Sequence, residues 1–199
     1  MQNSNTTASK NQAFPTYSPT LIKYASSDKV LQRGRHGPTD GDTMNQIIFV
    51  CNEPSRSSTR AIKAAAAKAG ENLWRYLEEH RAAPETLHII AGMMPHERLM
   101  AETIHKTVPK AMQSPDDRLT QRLIEQPDDL GAQIQRIDRV IDDNRDSGMT
   151  LVLILEPERL TSFFRSITKL RFGEHDNFNP GDIVALEFGS SKYTSYHST

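Results

Sequence analysis

From residue 45 onward, short apolar runs alternate with longer stretches in which apolar residues recur every three or four positions. The short runs occupy residues 47–51, 87–91, 151–155 and 183–188, and each has the length and continuity of a strand buried on both faces. Between the first two, Ser55, Ser57 and Ser58 offer capping hydroxyls before an Ala-rich stretch. Gly70 interrupts that stretch, and beyond it Leu73, Trp74 and Leu77 share a helical face. A turn at 92–95 leads to a helix through Arg98, Met100 and Ile104, ending near residue 107. Residues 110–127 carry no decisive pattern. Ile134, Ile137, Val140 and Ile141 mark an amphipathic helix over 130–146, with Gly148 at its exit. Pro157 opens a further helix through Leu160, Phe163 and Ile167, and Asn179-Pro180-Gly181 turns the chain into the last run.

Repeated strand–helix units of this kind predict an α/β fold: a three-layer sandwich with a largely parallel central sheet between two helical layers. The 199 residues suffice for one such domain, expected over 45–190. Residues 1–44 are rich in Ser, Thr, Asn, Gly and Pro without a sustained period and read as a flexible arm; 191–199 read as a tail. A hydrophobic content of 36% and a formal charge of −1 exclude bulk attraction to nucleic acid or membranes. Asp28, Asp40 and Asp42 dilute the basic residues of the arm, so nucleic acid is not the expected partner. No apolar stretch approaches the roughly 20 residues that span a bilayer. The polar start lacks a signal-peptide core, and a single cysteine allows no internal disulfide, so the expected compartment is the cytoplasm.

Candidate chemistry gathers at the end of the first run, in IIFVCNEPS, because α/β proteins hold ligands at the carboxyl ends of their strands. Cys51, Asn52 and Glu53 stand there. Arg56 follows Cys51 by five positions, one short of a Cys-based phosphate loop, and CNEPSR has none of the glycines such a loop needs. A buried structural role is therefore expected for Cys51. Arg56, Arg60, Lys63 and Lys68 form either a basic face or a solvated helix side. His88, His96 and His105 lack partners at ligand spacing, so no metal is expected, and no cofactor. Met93, Met94, Met100 and Met112 are expected in core or groove packing.

The order of these segments resembles the histidine phosphatase (phosphoglycerate mutase-like) superfamily over residues 46–189. IIFVCNEPS resembles the family's first strand and its Arg-His-Gly-Glu turn, with Cys51 for the arginine and Asn52 for the nucleophilic histidine. AKAGENLWRYLEEH resembles the helix with a glycine and a leucine seven residues on, here Gly70 and Leu77. LHIIAGMMPHERLMAET resembles the strand ending in Ser-Ser-Pro; Pro95 and Arg98 keep the spacing, whereas Met93 and Met94 replace the serines and Glu102 the threonine. LVLILEPERLTSFF resembles the strand before the second histidine, whose place falls to Glu156 or Pro157, and NPGDIVALEF resembles the last strand.

Carried over residue by residue, the resemblance implies a protein that has lost the phosphohistidine mechanism. The amide of Asn52 has no lone pair for attack on phosphorus, and a carboxylate at 156 repels a phosphoryl group. Arg98 survives as a phosphate ligand, with Asn52, Glu53 and Arg56 as its neighbours in a weakened anion pocket. The implied function is non-catalytic binding of a phosphorylated small molecule or a protein partner. Two alternatives remain. Glu53, Glu156 or Glu158 act as acid or base with Arg98 and Arg56 holding an anion, making a phosphoric ester hydrolase or phosphotransferase. Otherwise the arm folds in and supplies Arg35-His36-Gly37 as a conventional phosphatase site.

Overall fold

The computed structural model of the protein describes residues 46–120, 130–168, 178–187 and 193–197. Each apolar run becomes a strand: β1 Gln46–Cys51, β2 Leu87–Ala91, β4 Thr150–Leu155 and β5 Ile183–Glu187. Two further strands, β3 Met112–Pro115 and β6 Tyr193–Tyr196, lie at the sheet's edges. The helices are α1 Thr59–His80, α2 Pro95–Thr107, α3 Leu130–Asp143 and α4 Pro157–Thr168. The strand order is β3-β2-β4-β1-β5-β6. The pairs β3/β2, β2/β4 and β4/β1 are parallel; β5 runs antiparallel to both of its neighbours.

Alternation along each central strand feeds two cores, because successive side chains leave opposite faces of a sheet. Ile48, Val50, Ile89, Val152 and Ile154 meet α1 and α2 on one face. Ile47, Phe49, Leu151, Leu153 and Leu155 meet α3 and α4 on the other, where Phe49 lies 5.2 Å from the rings of both Phe163 and Phe164. The three-layer α/β architecture is thus the one the periodicity predicts.

Gly70 does not break α1; the helix runs through it. A side chain there would meet Thr107 Cγ2 at 2.7 Å, so the glycine lets α2 approach closely, and Trp74 Nε1 ties the pair by donating to the Thr107 carbonyl at 2.9 Å. That close packing offsets the roughly 1 kcal/mol helix penalty of glycine. Ser58 caps α1, its Oγ accepting from the Ala61 amide at 3.2 Å.

The undecided stretch 110–127 contains β3, a four-residue strand of Met, Gln, Ser and Pro with too little apolar character to register as one. It is held by main-chain pairing and by His88 Nε2 against Ser114 Oγ at 2.7 Å. The expected tail contains β6, which buries Tyr196 against α1 and lets its hydroxyl donate to Glu79. Met93 and Met112 are exposed rather than packed, while Met100 is in the core. The arm over 1–44, with Arg35-His36-Gly37, lies outside the described residues. Among the described residues no helix is long and apolar enough to cross a membrane.

One buried charge ties the late strands to the first helix. Asp182, fully buried before β5, pairs with Lys68 of α1 at 2.8 Å and with His197 Nδ1, just beyond β6, at 2.9 Å. Its carbonyl accepts from the Cys51 amide, extending the β1/β5 ladder. Burial pushes the carboxyl's pKa up, but Lys68, His197 and the Asn179 amide outweigh burial and hold it below the usual carboxylate range. A carboxyl depressed in the folded state stabilises above its unfolded pKa and loses that contribution as pH falls through the folded value. Asp182→Asn is therefore expected to cost on the order of 3 kcal/mol near neutrality. In urea melts the deficit should shrink once the pH falls below about 4.

Candidate functional site

Because β4 inserts between β1 and β2, three strand ends converge: Asn52 after β1, Gly92 after β2 and Glu156 after β4. The helices after β1 and β2 cover one face and the helix after β4 covers the other. This is a topological switch point, where a crevice opens at the carboxyl edge of such a sheet.

Each residue there is held by a local reason. Cys51 is fixed on both sides by main chain, its amide donating to Asp182 O at 2.9 Å and its carbonyl accepting from Gly181 at 2.8 Å. Its thiol is fully buried 3.6 Å from Phe178 O. Burial, with help from the charges of Asp182 and Glu53, pushes the thiol's pKa up to about 12. The amide of Asn52 continues the parallel pairing to Leu155 O at 2.8 Å, and its Oδ1 accepts from the Glu53 amide at 2.8 Å. Asn52 is 1% exposed, and its Nδ2 has no hydrogen-bond partner among the described residues. Glu53 is half-buried and accepts from Ser57 Oγ at 2.7 Å, which shapes the loop into α1.

Glu156 and His96 meet across the edge. His96 Nε2 lies 3.3 Å from Glu156 Oε1, both side chains being less than a tenth exposed. The geometry is not that of a well-aligned hydrogen bond. Burial raises the pKa of Glu156, Glu97 pushes the same way, and His96 and Arg159 oppose them. Glu97 is itself buried, its carboxylate accepting from the Met94 amide at 3.0 Å at the start of α2. That carboxylate and the Thr120 backbone occupy the space a side chain on Gly92 would need. Arg159 reaches across from α4 to donate to Leu119 O.

Above this cluster, between the first turns of α1 and α2, opens a cleft of about 550 Å³. The β1–α1 side lines it with Ser55, Arg56, Thr59 and Ile62; the start of α2 lines it with Met94, Pro95, His96 and Leu99. Arg56 is exposed at the cleft, and the first turn of α1 carries no acidic residue to oppose an anion.

The structure therefore brings Asn52, Glu53 and Glu156 to one edge, with Arg56 on the cleft wall. Pro157 is the first residue of α4 and half-buried. Arg98 is exposed on α2, one residue from the cleft-lining Leu99, and Glu158 is exposed on α4. Lys68 is paired with Asp182, whereas Arg60 and Lys63 are solvent-facing. Sequence reasoning passed over His96, Glu97 and Arg159. His96 was weighed only for metal-ligand spacing, and its partner lies sixty positions away, so only strand order connects them.

No protein-family model matches the chain, and no curated protein matches it. Among solved structures the chain is similar to a phosphoglycerate mutase from Plasmodium falciparum, with 18% identity and a TM-score of 0.50. The match covers 77% of this chain and 98% of that one. At that identity the likeness is one of fold, and the fold is histidine phosphatase-like.

The burial of Cys51 has a direct consequence for its reactivity, since the thiolate is the nucleophilic form. Under native conditions at neutral pH, iodoacetamide and disulfide reagents should leave Cys51 unmodified, with full reaction only after denaturation. Rapid native labelling would contradict the buried, neutral thiol.

Proposed function

We propose that this is a non-catalytic protein of histidine phosphatase-like fold that binds a phosphorylated ligand, free or on a protein partner, in the cleft between α1 and α2. The observation that carries the reading is Asn52. Its backbone stands at the end of β1 where the resembling family keeps its nucleophile, and its side chain is a buried amide turned back on the Glu53 amide. An amide there neither attacks phosphorus nor carries a phosphoryl group. What remains serves binding: Arg56, two hydroxyl residues and a helix start without acidic residues on one side, and Met94, Pro95 and Leu99 with His96 on the other. Such a cleft suits a phosphate monoester with an apolar body.

The pair His96–Glu156 favours one second reading, an atypical hydrolase in which Glu156, its pKa raised by burial, acts as the acid. The two are separable. Phenyl phosphate should bind by calorimetry, and Arg56→Ala should weaken it about tenfold, the loss of one charge-assisted contact. Release of p-nitrophenol from its phosphate should stay at the uncatalysed level. Turnover lost on Glu156→Gln but kept on Asn52→Ala would establish the hydrolase instead. Turnover lost on Asn52→Ala would overturn the non-catalytic reading outright.

A further inference from the structure

Of the residues lining the cleft, His96 is the one whose partner the cleft alone does not explain. It is 7% exposed, lines the cleft from the α2 side, and has Nε2 directed at Glu156 at 3.3 Å. Nε2 is itself fully buried, so the area that His96 contributes to the cleft comes from the rest of the ring. A carboxylate behind an imidazole favours its protonated form and fixes the direction in which the other nitrogen points.

We propose that His96 is the ligand-contacting residue at the floor of the cleft: its imidazolium, backed by Glu156, donates Nδ1–H to an oxygen of a bound tetrahedral oxyanion that Arg56 holds from the rim. The assignment rests on the phosphate-binding reading above and deepens it, giving the anion two cationic contacts from opposite sides. Its chemical consequence is a proton-linked affinity. With the imidazole neutral, the His96–Glu156 pair carries one net negative charge; with one proton added it carries none, wherever the proton resides. An anion therefore binds more tightly as the pair takes up a proton.

The surrounding charges act in both directions. Glu97, from the same helix, faces Glu156 and favours proton uptake by the pair, whereas Arg159 from α4 opposes it. Arg56 stands across the cleft on the β1–α1 loop. Asn52 of β1 is uncharged, and Glu53 is turned to Ser57.

Sulfate is the probe, because it stays doubly charged throughout the range and its own titration does not enter. Calorimetric affinity for the wild-type protein should rise about tenfold from about pH 8 to about pH 5.5. His96→Gln should bind weakly at both and show no such rise, and Glu156→Gln should move the midpoint to lower pH. In the wild type, the ring resonance of His96 should shift on adding sulfate at about pH 5.5, a measurement that does not depend on either variant folding. Sulfate affinity independent of pH, a retained rise in a folded His96→Gln, or a ring resonance indifferent to sulfate each overturns the assignment. Absence of sulfate and phenyl phosphate binding at every pH in the folded protein instead removes the binding reading beneath it.

Discussion

The pairing of β4 between β1 and β2 is the constraint on which the rest of the molecule depends. It places Leu151 to Leu155 in parallel register with β1 and Thr150 to Leu153 in parallel register with β2, buries the strand on two faces, and brings three chain reversals to one edge. Because the helix after β4 leaves toward the opposite face from those after β1 and β2, the edge opens rather than closing over. The cleft, the buried pair and the arrangement of Asn52 follow from that one insertion.

Placing a carboxylate at the end of a fully buried strand is costly unless opposite charge and hydrogen bonds are supplied. Here the supply comes from two helices: His96 from α2 faces Glu156 and Arg159 from α4 approaches it, while Glu97, a like charge, is itself satisfied by the Met94 amide at the helix start. Another buried carboxylate, Asp182, is held in a similar way two strands away, with Lys68 as counter-charge and His197 as a further partner. Both clusters sit at the carboxyl edge of the parallel strands, so that edge concentrates buried charge. In such a protein the residues that would bind a ligand and those that hold the fold are partly the same, and burial decides which role dominates.

Most of the fold was legible because its signals are local. Four apolar runs of about five residues have no other economical use than central strands, and the helix starts at Ser58 and Pro157 are set by side chains within one turn of the start. The strands that escaped notice are the weakly apolar ones, Met112–Pro115 and Tyr193–Tyr196, which hold their places through main-chain pairing to a stronger neighbour. Gly70 shows a different limit. Along the chain it reads as an interruption, whereas in space it is the point at which α2 approaches α1, since Thr107 fills the volume a side chain would take.

The candidate site divides in the same way. By itself the sequence determined that Cys51, Asn52 and Glu53 end a buried strand, and that Glu156 and Pro157 end another, because strand ends are written in apolar length and polar punctuation. Only the tertiary structure decided that Glu156 faces His96, that Arg56 rather than Arg98 lines the cleft, and that Cys51 is sealed beneath Asp182. The physical reason is that these contacts join residues whose separation along the chain carries no periodic signal. Strand order alone brings them within a few ångströms, and strand order is chosen by the packing of the whole sheet.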